Sequence, residues 1–497
     1  MRRLIALALA LISMLTLSSA CAKISEEEKA LQFDQAGQRI HSRRQSLEIP
    51  ILREEFRSLE PAQNQSYALR AIGHQLYEGL TSLSAHGQLR YLLADAIEAN
   101  ADKTVWTIRL NKLGRWSDGS PVTASDFTET WLERLDPTKN CPTAFQAYMI
   151  EGAEAYHRAG GRVEDIGIRI EGDDIVIRLN QAYANFAEWL SQDFFLPAKS
   201  QEGNALYNGA FVLSSSDDQR LELKAQEYYW QSSPGGIETI HFNYFDDDIM
   251  AYESYIRGEQ DIIGLPFLDI PYARRESASR RPDAVQFPLS AVSVMSLNPH
   301  SPFTQDKKSR HLLYEALDIP FLSRAIRYDQ STAVLAQQAP DSQKRQELMA
   351  AFAPLREKYE KELAEPLTVL VEGKYLSYRE MIAEAKQWLD LYKLKVRVFQ
   401  AGQLPAESRP DLIYHEIIYG SSDQRDLFWF QRDLEARFGL DDPQPMGIYP
   451  SDLESCLENL LMIPVLKLTW ANLVQATVEG YTLPANGMPQ LSELSFR

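Results

Sequence analysis

The most informative segment of the chain reads Arg115-Trp116-Ser117-Asp118-Gly119-Ser120-Pro121-Val122-Thr123-Ala124-Ser125-Asp126-Phe127. Its first half predicts a turn, because Asp118 and Gly119 favour tight turns and Trp116 gives that turn an aromatic anchor. Its second half predicts the start of a helix, because Thr123 and Asp126 are spaced to hydrogen-bond each other's backbone as a capping box. We therefore expect the segment to be structural and to lie away from any ligand.

The sequence on both sides of this segment predicts further strands and helices. Val105–Leu110 alternates apolar and polar residues, which is typical of a half-buried strand. The helix that follows the capping box ends at Asp136-Pro137. Its apolar side is formed by Phe127, Trp131 and Leu135. Residues 166–170 and 175–179 flank a Glu-Gly-Asp-Asp sequence and predict a β-hairpin.

A strand–helix–strand unit is predicted further along the chain. Its strands are Leu367–Val371 and residues 394–398, and Ser377 with Glu380 caps the helix between them. One face of that helix is formed by Met381, Ala385, Trp388, Leu389 and Tyr392. Two strands joined by such a helix are parallel, with a right-handed crossover. The alternation of strands and helices predicts a mixed α/β protein with more than one lobe.

Length and composition indicate a large globular protein. A chain of 497 residues exceeds one ordinary core and predicts two to four domains. Hydrophobic residues make up 44% and charged residues 24%, as in soluble proteins. The formal net charge of −18 excludes general nucleic-acid binding, which requires clustered Lys and Arg against the phosphate backbone.

The amino terminus has the layout of a secretory leader. Arg2 and Arg3 precede an apolar run over residues 4–17, which is shorter than the roughly 20 residues that cross a bilayer as a helix. Small residues lead to Cys21, and this arrangement resembles the bacterial lipoprotein signal, which implies lipidation at Cys21. Ser18 departs from that signal, so an ordinary secretory leader is the alternative. The polar residues that follow, up to about residue 44, predict a solvated tether.

The remaining cysteines exclude a disulfide scaffold. Outside the leader the chain has only Cys141 and Cys456, more than three hundred residues apart. Either they pair in one long-range disulfide or they are two separate buried thiols.

The sequence contains no common catalytic, metal or nucleotide pattern. The Gly-x-Gly-x-x-Gly, Gly-x-x-x-x-Gly-Lys-Ser/Thr, Gly-x-Ser-x-Gly and His-Glu-x-x-His motifs are missing, and its eight histidines are scattered. Asp246-Asp247-Asp248 predicts a solvated acidic turn, with a cation site as the alternative. Residues 258–261 predict a turn that leads into a strand. We therefore expect no enzyme activity, no metal and no cofactor.

Several segments together resemble the oligopeptide/dipeptide-binding family, the large substrate-binding proteins of ABC importers. The segment Arg115–Phe127 is the most specific of them, in the order and spacing of the family. Other segments that carry the resemblance are Val105–Leu110, Ser58–Ala62, Leu76–Leu80, Asn208–Phe211, Leu297-Asn298, Ser301–Phe303 and residues 312–318. The matches extend from about residue 50 to 400 and weaken beyond.

The resemblance implies a two-lobed periplasmic-binding-protein-like α/β fold, of type II, with an extra small domain. Its discontinuous lobes are joined by a hinge and close on the ligand. The expected division is signal peptide 1–20, lipidated amino terminus and tether 21–45, lobe I 46–80 with 193–285 and 476–497, small domain 81–192, and lobe II 286–475.

The resemblance also implies a ligand cleft and places residues in it. A peptide is held as an added strand, with water-filled pockets for its side chains. The residues expected to contact it are Gln65, Tyr67, Tyr148, Asn208, Gly209, Ala210 and Phe211.

The far lobe departs from the family pattern. Many relatives have a Trp and, three residues later, an Asp that pairs with the peptide's amine. Ile417 and Gly420 stand at those positions. Asp423 or Asp426 could supply the charge and Trp429 the aromatic ring.

The function expected from the resemblance is that of an extracytoplasmic receptor for an ABC importer. Its partners would be a peptide and the importer's permease subunits, and it would act as an exported monomer, periplasmic or at the cell surface, with a lipid at Cys21 as its membrane contact. The departure in the far lobe leaves a receptor for a non-peptide solute as one alternative. A lipid-anchored surface protein that binds a partner protein or a cell-wall fragment is another.

Overall fold

Three larger sheets organise the chain. A computed structural model describes residues 45–53, 58–64, 66–231, 236–298, 300–301, 303–318, 332–333, 340–359, 366–371, 378–400, 403–405, 408–418, 430 and 462–497. The residues Ser46–Ser495 form one compact unit. Within the described ranges, no helix combines the length and the apolar character that a membrane crossing requires.

The described part of the chain contains both helices and strands, in places with several strands in succession. The helices are α1 (Tyr67–Leu76), α2 (Ala124–Leu135), α3 (Ala153–Ala159), α4 (Phe186–Trp189), α5 (Asp248–Ile256), α6 (Arg275–Ser279), α7 (Lys307–Ala316), α8 (Ser342–Tyr359) and α9 (Tyr378–Tyr392). The strands are β1 (Ser46–Leu52), β2 (Thr81–Leu83), β3 (Leu89–Tyr91), β4 (Ala94–Ala99), β5 (Val105–Leu110), β6 (Ile168–Glu171), β7 (Asp174–Arg178), β8 (Lys199–Gln201), β9 (Asn204–Leu206), β10 (Phe211–Ser216), β11 (Arg220–Ala225), β12 (Thr239–Phe245), β13 (Ile262–Gly264), β14 (Ala284–Leu297), β15 (Thr332–Ala333), β16 (Leu367–Val371), β17 (Val396–Gln400), β18 (Leu412–Ile418), β19 (Met462–Val474), β20 (Val478–Glu479) and β21 (Ser495–Phe496).

The first sheet has four strands in the order β1-β12-β11-β10. Strand β1 runs parallel to β12 and pairs with it from Ser46↔Thr239 to Leu52↔Phe245, whereas β10, β11 and β12 are antiparallel. Its side chains alternate, so that Leu47, Ile49 and Ile51 are buried on one face. Helix α1 packs against β10 and so belongs to this part of the molecule.

The second sheet, β4-β5-β7-β6, is antiparallel and confirms the predictions made around residue 115. Strand β5 has the predicted bounds, and the hairpin β6–β7 lies within two residues of the prediction. Thr123 and Asp126 form the predicted capping box of α2, which ends at Leu135 before the Asp-Pro sequence. The indole nitrogen of Trp116 donates to Asp126 Oδ2 at 3.2 Å, so that the turn is tied to the start of the helix.

The third sheet has seven strands, and most of them follow the order β13-β19-β14-β18-β16-β17. Strand β16 is parallel to β17 and β18, while β14 is antiparallel to both β18 and β19. The predicted strand–helix–strand unit is thus confirmed, although β17 begins two residues later than expected. Strand β13 pairs with β19 in this sheet, although the division that the resemblance implies assigns its residues to lobe I. The lobe boundaries stay a prediction.

Helix α9 differs from its predicted apolar face at one residue. Ala385, Trp388 and Tyr392 are buried, but Leu389 is 36% exposed. Consecutive helical residues lie about 100° apart around the helix axis. Leu389 therefore lies at the edge of the buried apolar stripe that Ala385, Trp388 and Tyr392 form. Ser377 and the side chain of Met381 lie outside the described part of the chain.

Two acidic segments have the structural roles that the sequence indicates. Asp247 is the N-cap of α5, and its carboxylate accepts from Met250 N. Gly258 has a φ of 78°, and the chain turns there towards β13. Arg257 pairs with Glu259 at 2.8 Å, and Asp261 Oδ2 accepts from Glu48 N at 2.8 Å. Asp247 and Glu259 are thus occupied by contacts within their own segments, and Asp261 by a contact to the distant strand β1.

Candidate functional site

Aromatic and charged side chains meet where helix α1 approaches the seven-stranded sheet. We call this group the seam. It consists of Tyr67, Arg70, His74, Asp193, Glu416 and Trp470. Because α1 packs on the four-stranded sheet and β18 and β19 belong to the seven-stranded sheet, the seam joins the two sheet systems.

Helix α1 presents three of these side chains on one face. Ser66 caps the helix by accepting from Leu69 N, and the helix starts at Tyr67. Tyr67, Arg70 and His74 follow at positions i, i+3 and i+7, which share one side of a helix. Apolar residues of the same helix are buried, including Leu69, Ile72 and Leu76. The amphipathic pattern therefore directs the polar face towards the seam.

Tyr67 is the central contact of the seam. Its ring centroid lies 5.3 Å from that of Trp470, with the two planes inclined by 59°. Its hydroxyl lies 3.4 Å from Glu416 Oε2. The Arg70 guanidinium lies over the Tyr67 ring at 5.9 Å from the centroid. One half-buried tyrosine thus touches an aromatic ring, a carboxylate and a cation.

A buried carboxylate balances the charge of Arg70. Asp193 is 3% exposed, and it contacts Arg70 Nε at 2.5 Å and His74 Nε2 at 2.7 Å. Burial by itself would raise the pKa of Asp193, but the charge of Arg70 and the hydrogen bond from His74 outweigh it and hold the pKa well below its usual range. Asp193 is therefore ionised at neutral pH and fixes the orientation of both partners.

A second group of aromatic rings lies beside Phe430. The Phe430 centroid is 5.0 Å from that of Phe145 and 6.4 Å from that of Trp189. Phe145 and Trp189 belong to the apolar core around the second sheet, against which Phe430 packs. Rings at these separations and inclinations make favourable edge and tilted contacts.

The predicted Asn208–Phe211 segment is packed against the end of α1. The Asn208 amide donates to Glu78 O at 2.9 Å and accepts from Glu78 N at 3.1 Å. Gly209 N donates to Leu76 O at 2.8 Å, and a Cβ on Gly209 would lie 2.6 Å from Gln75 O. Ala210 is half-buried, and Phe211 is buried where it begins β10.

Among the predicted ligand residues that the structure describes, Tyr67 alone lies in the seam. Tyr148 is buried beside His157, at 5.9 Å between centroids, and its carbonyl accepts from Asn180 Nδ2 at 2.8 Å. The ligand roles of Tyr67, Tyr148 and Asn208–Phe211 stay predictions. Other predicted residues lie outside the described part of the chain, namely Gln65, Asp423, Asp426, Trp429, Gly420 and Cys21.

The buried residue Glu78, which follows the end of α1, was not predicted from the sequence as a site residue. Glu78 is 7% exposed, and its carboxylate accepts from the Tyr229 hydroxyl at 2.6 Å and from the Trp230 indole nitrogen. Burial raises the pKa of Glu78 to about 7, against the lowering effect of these two hydrogen bonds. Glu78 also lines a pocket together with His74, Gly209 and Ala210. Its place inside a segment that resembles the family, Leu76–Leu80, was the available signal.

Among the described residues, possible metal ligands do not cluster, and Cys141 is the one cysteine. No group of three or more His, Cys, Asp or Glu side chains that could hold a metal occurs among the residues that the structure describes. Cys141 is a free, buried thiol whose pKa is raised by burial. Cys456 lies outside the described residues.

Comparison with known families gives one match that covers most of the chain. The family described as "Bacterial extracellular solute-binding proteins, family 5 Middle" matches residues 88–390.

Curated relatives are similar over part of their length. The oligopeptide-binding protein OppA of Bacillus subtilis is 25% identical over 287 residues, which cover 55% of this chain and 52% of OppA. The periplasmic murein peptide-binding protein MppA of Escherichia coli is 25% identical over 225 residues, 42% of each chain. This chain thus spans about half, or less, of the length of these relatives.

Solved structures share the fold over nearly the whole chain. OppA of Burkholderia pseudomallei gives a TM-score of 0.73 at 19% identity and covers 91% of this chain and 99% of its own. OppA of Haemophilus influenzae, solved in complex with the peptide RPPGFSPFR, gives 0.72 at 16% identity and covers 92% and 100%. These likenesses show the two-lobed α/β fold of periplasmic binding proteins, as predicted from the sequence.

Proposed function

We propose that this chain, which belongs to the bacterial extracellular solute-binding proteins of family 5, is the receptor of an ABC importer and encloses a peptide between its lobes. The observation that carries the proposal is the seam. There Tyr67, on a helix packed against one sheet, meets Glu416 and Trp470 on the other. Relatives named as oligopeptide- and dipeptide-binding proteins support peptide as the ligand.

Closure of the lobes about their connecting strands would bring the ligand to the seam. Strands β14 and β19 are 14 and 13 residues long, and their register shifts between Pro288 and Val292. A local irregularity in a long strand pair is a place where the sheet bends. Hinge motion at such a place would open and close the cleft without repacking either lobe.

The site is built for binding and not for reaction. Tyr67, Arg70 and Asp193 are engaged with one another or with Glu416. The chemistry available is aromatic stacking, hydrogen bonding and charge, which are the means by which a pocket selects a ligand. We therefore propose a non-enzymatic receptor that hands an unmodified ligand to permease subunits.

The same proposal places the protein outside the cytoplasm. The apolar leader and Cys21 support export and a lipid at that cysteine, with the polar residues that follow acting as a tether. A monomer would suffice, because the lobes of one chain enclose the ligand.

Native mass spectrometry of the protein as isolated tests the proposal directly. We expect adducts with the masses of short peptides, and added peptides should raise Tm because ligand stabilises the closed form. A ligand present at one hundred times its Kd stabilises by about 2.7 kcal/mol. If the isolated protein shows no peptide mass and a peptide library leaves Tm unchanged, the peptide receptor is contradicted.

One relative favours a non-peptide solute as a second candidate. The probable deoxycholate-binding periplasmic protein YgiS of Escherichia coli is 23% identical over 286 residues, 54% of this chain. Ile417, where many peptide-binding relatives have an aromatic ring, is a buried aliphatic residue. An apolar, acidic ligand in the mass spectrum, in place of peptides, would support this candidate.

A further inference from the structure

A cavity of about 400 Å³ lies beside the last part of strand β19. The strand contributes Trp470–Leu473 to the cavity wall, and helix α6 contributes Ala278 and Ser279. Leu265, which follows β13, and Ile270 add to the apolar part of the wall. This volume is near the lower end of the range in which proteins bind small molecules. The cavity therefore suits a compact ligand and not a peptide.

Two buried polar side chains of β19 line the cavity. Trp470 is 1% exposed and Asn472 is 0% exposed, and residues two apart on a strand project from the same face, about 7 Å from each other. The Asn472 amide nitrogen donates to Leu265 O at 2.8 Å and to the Tyr481 hydroxyl at 3.1 Å. Among the residues that the structure describes, the Trp470 indole nitrogen and the Asn472 amide oxygen have no hydrogen-bond partner. The wall thus offers one donor and one acceptor.

The Trp470 ring is held in place from two sides. Its centroid lies 5.3 Å from that of Tyr67, and a Cβ on Gly487 would lie only 2.7 Å from Trp470 Cζ3. An indole with neighbours this close has little freedom to rotate. A donor that is already fixed loses little entropy when a ligand binds to it.

The charged groups in the wall balance each other. Asp269 and Arg275 line the cavity and form an ion pair at 2.8 Å, and both side chains are largely buried. The other residues of the wall are neutral. An ionic ligand would lose its hydration here without gaining a counter-charge, so a neutral ligand is favoured.

We propose that this cavity is a binding site for a small carboxamide. The ligand's carbonyl oxygen accepts from the Trp470 indole N–H, and its amide N–H donates to Asn472 Oδ1. Buried polar atoms in folded proteins nearly always have a partner, and a carboxamide supplies both missing partners on neighbouring atoms. A hydroxyl would have to make both hydrogen bonds through one oxygen, and a ketone has no donor.

This site is additional to the peptide site of the proposed receptor. It depends on the two polar atoms of β19 and on the cavity that they line, and not on the identity of the ligand that the lobes enclose. A finding that the isolated protein retains no peptide would therefore leave the carboxamide site standing.

NMR spectroscopy of the full-length chain, labelled with ¹⁵N at tryptophan, locates the site. The chain has eight tryptophans, and Trp470→Phe identifies the Trp470 indole signal by its loss. Propionamide is titrated into the unmodified chain, and butanone is titrated in parallel because it has nearly the same shape and the same carbonyl but no N–H. We expect propionamide to shift the Trp470 signal to saturation, and butanone to bind about 3- to 10-fold more weakly for want of one hydrogen bond.

Saturation-transfer NMR on the propionamide signals gives the affinity of each variant. Trp388→Phe is the matched control, because Trp388 is also 1% exposed and its indole nitrogen also has no partner in the described part of the chain, yet it lies on α9 and not in the cavity wall. We expect Trp470→Phe, which keeps an aromatic ring, to weaken propionamide binding about 3- to 10-fold and Trp388→Phe to leave it unchanged.

Three results would each overturn the site. One is a Trp470 signal that propionamide does not shift. Another is equal affinity of the unmodified chain for propionamide and butanone, which would show that no N–H of the ligand is recognised. The third is an unchanged affinity in Trp470→Phe, which would show that the indole N–H is not the donor.

Discussion

Two buried carboxylates, Asp193 and Glu78, differ in the side chains that contact them. Asp193 and Glu78 are both buried carboxylates close to the end of α1, yet their partners differ. Asp193 has two cationic or potentially cationic partners, Arg70 and His74. Glu78 has two neutral donors, Tyr229 and Trp230. The two acids are therefore expected to respond to pH in opposite directions.

Replacing Glu78 with Gln should remove a loss of stability that sets in as pH rises. In the folded protein the pKa of Glu78 is about 7, above the ordinary glutamate pKa of 4.5. At a pH between these two values, Glu78 is therefore protonated in the folded protein and ionised in the unfolded chain. Stability from this group is complete below the unfolded pKa and is lost as pH rises through the folded pKa. Relative to the unmodified chain, Glu78→Gln should gain up to about 3 kcal/mol between pH 5 and pH 8.

Urea unfolding at the two pH values measures this effect. Glu493→Gln serves as the control, since Glu493 is an exposed carboxylate paired with Arg90 at 2.9 Å. A difference between Glu78→Gln and the unmodified chain that stays constant from pH 5 to pH 8 would contradict the expectation.

Replacing Asp193 with Asn should be strongly destabilising. The substitution leaves Arg70 and His74 without the buried charge that they contact, and breaking such a pair costs about 3 kcal/mol or more. Because the folded pKa of Asp193 is depressed, its contribution is present above the unfolded pKa and disappears as pH falls through the folded pKa. The difference from the unmodified chain should therefore shrink in acid.

Chemical denaturation of Asp193→Asn beside Asp95→Asn gives the matched comparison. Asp95 pairs with Arg109 at 3.0 Å, but both side chains are more than half exposed, so its loss should change stability by less than about 1 kcal/mol. Equal midpoints for the two variants would show that the buried pair does not stabilise the fold.

At the scale of elements, the turn and helix around residue 120 show how local sequence is sufficient for local structure. The Thr123 hydroxyl accepts from Asp126 N, and Asp126 Oδ2 accepts from Thr123 N at 2.7 Å. The same carboxylate accepts from Trp116, which is fully buried. The cap is thus part of the core of the second sheet and not only of its own helix.

Removing the cap should cost about as much as an isolated cap does. Thr123→Ala is expected to lower the free energy of unfolding by about 1 kcal/mol, because it deletes the acceptor for the helix amide while Asp126 remains. Ser125→Ala, an exposed position of the same first turn, should stay within about 0.5 kcal/mol of the unmodified chain. Urea denaturation of the two variants measures the effect. Equal decreases in the free energy of unfolding would mean that the Thr123 side chain does not stabilise the helix as a cap.

At the scale of the whole molecule, the sequence predicts well what neighbouring residues determine. The capping box, the hairpin and the parallel strand–helix–strand unit depend on patterns within about thirty residues, and each is confirmed. The two-lobed fold follows from the resemblance and is confirmed by the solved structures. The capping box, the hairpin and the strand–helix–strand unit can be predicted without knowledge of distant contacts.

The seam could be predicted only in part, because it depends on distant contacts. Tyr67 and Glu416 are 349 residues apart, and their meeting depends on how the two sheets are joined. The resemblance indicates Tyr67, but for the carboxylate it indicates Asp423 and Asp426. Glu416 precedes the two positions compared with relatives, Ile417 and Gly420, and looks like an ordinary strand residue until its six buried neighbours are known.

The parallel pairing of β1 with β12 has a mechanical consequence. Ser46, the first residue of β1, follows the polar residues that the sequence predicts to be a tether, and β1 is paired with β12 over its whole length. A pull along the axis of β1 loads those backbone hydrogen bonds together, in shear, so that they must yield at once and not one after another. In the lipid-anchored receptor that we propose, strand β1 would therefore resist a force applied through the amino-terminal residues.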